Sequence, residues 1–252
     1  MNDMPLDQPE LATSWANPKT ALNEQFARIG KALASPHRVE IVELLAQGER
    51  SVDLLAARAG ITVGLASAHL QVLRRAGLVL ARREGARVIY RLAGEDVYGL
   101  LVAVQTFAAD HLAEAGRAAR DYLGDADPRE LVSREELLRR VKLGDAIVLD
   151  LRPVEEYRVG HIAGALSLPL EELEARLADL PAGVEVVAYC RGPLCLLAPE
   201  AVATLRSRGL QARCLEDGLP EWRQAGLPVA AGTGTPSGGP GNARETRQGR
   251  PR

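Results

Sequence analysis

The residues best placed by type and spacing to do chemistry are Cys190-Arg191-Gly192-Pro193-Leu194-Cys195. They follow Val184-Glu185-Val186-Val187-Ala188-Tyr189, which reads as a buried strand, and precede a helical stretch reaching Arg208. A strand–loop–helix of this kind aims loop N–H groups, and the positive end of the helix, at the side chain that opens the loop. That field favours thiolate over thiol at Cys190 and lowers its pKa. It also suits the terminal sulfur anion of a persulfide. Pro193 takes one amide donor from the cradle. Pro199 is tolerable if it falls in the first turn of the following helix. Cys214, in a strand-like stretch, reads as a small buried hydrophobe.

A second group of residues suits a polyanion. Apolar residues recur at helical spacing through Ile29, Leu33, Val39, Val42 and Leu45, with a break at Ser35-Pro36, an N-cap followed by proline at the first helical position. Gly48 ends that helix. A short helix from Val52 stops at Gly60, Thr62 caps the next, and Gly77 ends it. Two helices joined at Ala59-Gly60-Ile61 form a helix-turn-helix pattern, whose second helix enters the major groove. Residues 78–91 then read as a hairpin turning at Glu84-Gly85, with Arg82, Arg83 and Arg87 at its tip, suited to phosphate or minor-groove contact.

These elements need two domains, and 252 residues supply them. Residues 20–92 carry 11 Arg or Lys against 6 Asp or Glu, a net of +5, whereas 129–230 carry 13 against 16, a net of −3. A basic half beside an acidic half again assigns the polyanion to the first domain. The expected organisation is a flexible arm (1–19), a DNA-binding and dimerisation domain (20–123), a linker (124–128) around Gly124 and Pro128, an α/β domain (129–230), and a Gly- and Pro-rich disordered tail (231–252). No secretory signal is seen, and no apolar run approaches the ~20 residues a membrane span requires, so a reducing cytoplasm is expected. There a cysteine is reactive or buried rather than a structural disulfide.

Leu33-Ala34-Ser35-Pro36-His37-Arg38, Leu70-Gln71-Val72-Leu73-Arg74-Arg75-Ala76-Gly77-Leu78-Val79 and Arg83-Glu84-Gly85-Ala86-Arg87-Val88-Ile89-Tyr90-Arg91-Leu92 resemble the ArsR-type winged-helix repressors. The resemblance implies a mainly α winged helix-turn-helix with a β-hairpin wing, acting as a homodimer on a palindromic double-stranded operator. Residues 97–122, from Val97 to Tyr122, are then an amphipathic dimerisation helix. The recognition-helix candidates are Val63, Gly64, Ser67, Ala68 and Gln71; Ser67 and Gln71 suit base edges and Ala68 a thymine methyl. His69 is expected to pack. Metal-sensing relatives carry a Cys-x-Cys pair where this chain has Ser51-Val52-Asp53. His111 and Glu114 match only a fragment of a second family site, and two ligands rarely hold zinc. No metal and no cofactor is expected.

Leu149-Asp150-Leu151-Arg152, Glu155-Glu156-Tyr157, Gly160-His161-Ile162-Ala163-Gly164-Ala165, Tyr189-Cys190-Arg191-Gly192 and Leu215-Glu216-Asp217-Gly218-Leu219-Pro220-Glu221-Trp222 resemble a rhodanese domain. That implies an α/β fold on a mostly parallel sheet, with Cys190 as the nucleophile that takes a sulfane sulfur as a persulfide. Asp150, Arg152 and His161 brace the fold. Thiosulfate-using rhodaneses usually place a cation at the last loop position, where this chain has Cys195, so thiosulfate is not the expected donor. Arg191 is the candidate anion contact, and Cys195 the candidate resolving thiol. The expectation is a DNA-binding regulator, a repressor, that senses or transfers sulfane sulfur from a persulfide or polysulfide. The alternative is a sulfurtransferase enzyme whose winged helix serves dimerisation or recruitment.

Overall fold

The computed structural model describes residues 18–123, 131–181 and 183–233. The linker, most of the arm and most of the tail expected from sequence lie outside these residues.

The first domain runs α1 (Pro18–Leu33), α2 (Pro36–Ala46), β1 (Arg50–Ser51), α3 (Val52–Arg58), α4 (Val63–Arg75), β2 (Val79–Glu84), β3 (Arg87–Leu92), α5 (Asp96–His111) and α6 (Ala113–Leu123). Thr62 caps α4, its hydroxyl accepting from the Leu65 amide at 3.3 Å. Ala66, Leu70 and Leu73 bury one face of α4 against Ile41, Leu55 and Leu101, as the helical period requires. β2 and β3 pair antiparallel from Val79↔Leu92 to Glu84↔Arg87. Gly85 turns the hairpin at φ +59°, which glycine adopts without strain. β1 adds a short third strand against β3, which the sequence pattern did not show.

The single helix expected over 97–122 is two. Leu112 leaves helical geometry at φ −109°, ψ 109°, and α6 folds back on α5.

The second domain runs β4 (Leu131–Val132), α7 (Arg134–Leu143), β5 (Ala146–Asp150), α8 (Val154–Val159), β6 (His161–Ile162), β7 (Leu166–Ser167), β8 (Glu185–Tyr189), α9 (Leu197–Ser207), β9 (Ala212–Leu215), α10 (Leu219–Gln224) and β10 (Val229–Ala230). The main sheet is ordered β4-β9-β8-β5-β7 with every pairing parallel, and β10 pairs with β6 separately. Residues 170–180, whose apolar spacing also fits an α-helix, form two 3-10 turns, Leu170–Glu172 and Glu174–Asp179, the second interrupted by non-helical geometry at Arg176. Central β8 is buried on both sides, as parallel sheets are: Val187 and Tyr189 face one core, Val186, Ala188 and Cys190 the other.

Candidate functional site

On the first domain the exposed side of α4 presents Val63, Gly64, Ala68 and Gln71, with Ser67 half-buried beside them. Arg74 and Arg75, also exposed, extend that face with two charges the sequence reading had not selected. Arg83 and Arg87 stand exposed at the hairpin tip and make no ion pair among the described residues. Arg82 differs: its guanidinium is held by Glu49 at 2.6 Å and Glu84 at 2.7 Å. Of the three arginines expected to meet DNA, Arg82 is thus the one already engaged by carboxylates. His69 packs 5.6 Å from the His37 ring, and its Nε2 is buried without a hydrogen-bond partner. His111 lies beside Phe107, and Glu114 pairs with Arg117. Among the described residues no His, Cys, Asp and Glu cluster could hold a metal ion, and no helix is long and apolar enough to cross a membrane.

In the second domain Cys190 closes β8, and six residues separate it from α9. Pro199 is the third residue of α9, in its first turn. No disulfide joins the three cysteines, and Cys214 on β9 is half-buried. Cys190 is 3% exposed. Its Sγ lies 3.5 Å from the Cys195 carbonyl and 4.0 Å from the Gly192 carbonyl. Its hydrogen bond to Cys195 and its burial push the Cys190 thiol up, only partly offset by the Ala198 and Gly192 amides. That hydrogen bond, against burial and with help from the Arg191 and Leu197 amides, brings Cys195 down to about 6. The expectation of a Cys190 thiolate is therefore corrected. Amides face both thiols, those of Gly192 and Ala198 at Cys190 and those of Arg191 and Leu197 at Cys195, and the more deeply buried Cys190 is the one pushed up.

The Arg191 guanidinium does not stand open for an anion. It grips Glu156 of α8 at 2.8 Å, and the fully buried Glu156 also meets Arg50 of β1 at 3.1 Å. Burial alone would push the Glu156 carboxyl up, but the two guanidiniums hold it below the usual range. Asp150 and Arg152 are fully buried. Asp150 accepts from Arg152 Nη2 at 2.6 Å and from the Tyr189 hydroxyl, while Arg152 also donates to the Gly160 carbonyl at 2.7 Å. His161 stacks on Tyr157 with ring centroids 3.7 Å apart. These three brace the loop's neighbourhood and do not reach the sulfur pair.

Sequence reasoning missed the residues that tie this loop to the first domain. Gln47, at the end of α2, donates to the Arg191 carbonyl at 3.0 Å and accepts from Arg152 at 3.2 Å. Tyr98 of α5 donates to Glu221 of α10 at 2.8 Å, and Gln224 donates to the Glu95 carbonyl at 2.9 Å. Gly218 backs directly on the loop, since a Cβ there would lie 2.4 Å from the Gly192 nitrogen. No periodicity or spacing announces such partners, because each is set by a surface from the other domain.

A winged helix carrying an exposed recognition face, followed by a parallel-sheet domain with a cysteine loop, defines a two-domain regulator. A rhodanese-like domain model matches residues 133–225, and a model of bacterial regulatory proteins of the arsR family matches residues 35–80. The chain is 50% identical over 214 residues to the HTH-type transcriptional regulator Rv0324 of Mycobacterium tuberculosis, covering 85% of this chain and 94% of that one. It belongs to the ArsR family of transcriptional regulators, in a form that carries a rhodanese domain. Among solved structures, the homodimeric winged helix-turn-helix domain of Mb0332 from Mycobacterium bovis is 52% identical, covering 39% of this chain and 92% of its own, with a TM-score of 0.37. A rhodanese-related protein of Thermoplasma volcanium is 26% identical, covering 40% and 96%, with a TM-score of 0.36.

Proposed function

We propose that this regulator acts in the cytoplasm as a homodimeric repressor, and that sulfane sulfur carried as a persulfide on Cys190 changes its affinity for the operator. Exposed apolar residues on α1, α5 and α6, among them Phe26 and Phe107, each 64% exposed, offer the dimer face. Arg83, Arg87 and the α4 face meet the DNA. The observation that carries the sensing half is the Gln47 bridge: one side chain of the winged-helix domain holds the backbone of the residue next to Cys190. A sulfur atom added to a thiol only 3% exposed has little free space, so the loop must shift and the Arg191 carbonyl with it. A ligand changes operator affinity only by its preference between two conformations, and typical couplings are about 5- to 150-fold.

The test is operator binding by fluorescence anisotropy with and without inorganic polysulfide, for the wild type, Cys190→Ser and Gln47→Ala. The expected result is a sulfur-dependent change in operator Kd that Cys190→Ser abolishes and Gln47→Ala weakens. A full response in Cys190→Ser overturns the proposal.

A further inference from the structure

A cavity of about 950 Å³ lies between α2, α5, α6 and the cysteine loop, within the size range of small-molecule sites. Cys195 lines it and Cys190 does not. Cys190 sits behind it, 3% exposed, its Sγ 3.5 Å from the Cys195 carbonyl, so a donor held in the cavity meets Cys195 first. The lining includes Glu40, Glu43 and Glu221, and the one cation in it among the described residues is Arg191, already paired with Glu156. Glu43 has the Gln105 amide as its partner, not a cation. A doubly charged anion is therefore disfavoured there, and a neutral or amine-bearing molecule is favoured.

We propose that Cys195 is the thiol that first takes sulfur, from a small neutral or amine-bearing persulfide held in this cavity, and that it relays the sulfur to Cys190. This rests on the sulfur-sensing reading above and reverses the order that the loop position of the two cysteines would suggest. In the first step the Cys195 thiolate attacks the outer sulfur of R–S–SH. The S–S bond breaks, R–S⁻ leaves with the electron pair and takes a proton from water, and Cys195–S–SH forms. In the second step the Cys190 sulfur attacks that outer sulfur, the bond from Cys195 to it breaks, and Cys195 leaves with the electron pair and takes up the proton that Cys190 gives up. Cys190–S–SH results, with no oxidant or reductant consumed. A thiol of low pKa is the better leaving group in such an exchange, which favours movement of sulfur inward from Cys195.

The full-length protein is mixed with aminoethyl persulfide, and sulfur added to each cysteine peptide is followed by mass spectrometry in the wild type, Cys190→Ser and Cys195→Ser. Cys195 should be labelled in Cys190→Ser, and labelling of Cys190 in Cys195→Ser should be roughly tenfold or more slower than in the wild type. Cys190 labelling at the wild-type rate in Cys195→Ser overturns the relay. Thiosulfate labelling as fast as the amine-bearing donor overturns the donor class. A measurement free of variants uses substoichiometric iodoacetamide on the wild type: alkylation should fall first on Cys195, and first alkylation at Cys190 refutes the order. If no cysteine of the wild type takes sulfur from aminoethyl persulfide or inorganic polysulfide, the sensing function itself fails; if Cys190 alone takes it, directly, only the relay fails.

Discussion

The Glu156 carboxylate is the point where the two domains and the cysteine loop share one charge, so replacing Glu156 with Gln should be costly in a specific way. The carboxylate is fully buried, 2.8 Å from Arg191 and 3.1 Å from Arg50. The Arg50 side chain is 5% exposed and has no room to turn to water, whereas Arg191 is 30% exposed and has some. Removing one partner of a buried pair typically destabilises by about 3–5 kcal/mol, because the other charge stays buried and uncompensated. Arg50 keeps its bond to the Leu44 carbonyl at 3.2 Å, and Arg191 can rehydrate in part, so the lower end, about 3 kcal/mol, is expected. For a chain of this size that lowers Tm by about 6–12 °C. Calorimetry at fixed protein concentration measures it, and a urea titration followed by circular dichroism should show the two domains unfolding less coincidently than in the wild type. The acid limb gives an independent check. The folded pKa of Glu156 is depressed below the ordinary carboxylate value of 4.5, so its stabilisation is present above that value and is lost as pH falls through the folded pKa. The wild type should lose this increment below pH 4.5 and Glu156→Gln should not. A Tm within about 2 °C of wild type, or an identical acid limb, refutes the assignment of a buried charge here.

The arginines of the wing should separate in a salt titration of operator affinity. Arg83→Ala and Arg87→Ala are each expected to reduce the slope of log K against log salt by about 0.9, and Arg82→Ala by less, because Glu49 and Glu84 already hold that guanidinium; equal slopes for all three would show that the ion pairs open on DNA. Gly218→Ala places a Cβ 2.4 Å from the Gly192 nitrogen, so the loop must move, at about 1–3 kcal/mol, with a changed iodoacetamide rate at both loop cysteines. Wild-type stability and rate together would contradict that contact. The wild-type rate of Cys195 alkylation should rise through about pH 6. In Cys190→Ala it should move up toward the ordinary thiol value of about 8.5, because the hydrogen bond that stabilises the thiolate is gone. A wild-type midpoint above pH 8 defeats this.

The fold was legible wherever one local rule governed an element. Thr62 before an apolar 3.6-residue period marked α4, Glu84-Gly85 between β-prone runs marked the hairpin, and the run Val186-Val187-Ala188-Tyr189 marked β8. The break at Leu112 carries no proline or glycine of its own to mark it. The 3-10 turns over 170–180 kept an apolar spacing that also fits an α-helix, so period alone did not separate them. At the site, Cys190 and Cys195 were legible as a pair, but their charge was not. Which of the two thiols is lowered depends on their contact with one another and on how deeply each is buried, and neither has a signature in residue type.

The contact between domains bears on whether sulfur chemistry can reach the operator at all. If only the linker joined the halves, a modified cysteine would have no mechanical hold on the winged helix. The halves meet instead through a polar network: Gln47 on the Arg191 carbonyl and on Arg152, Arg50 on Glu156, and Tyr98 on Glu221. Apolar faces can slide over one another with little penalty, whereas hydrogen-bonded buried groups tolerate few arrangements, since each unsatisfied one costs about 1–3 kcal/mol. Such a junction occupies one geometry or gives way as a unit. That is the property a coupling element needs, and under the proposed function the coupling runs through the end of α2, within the domain that meets DNA, rather than along the connecting chain.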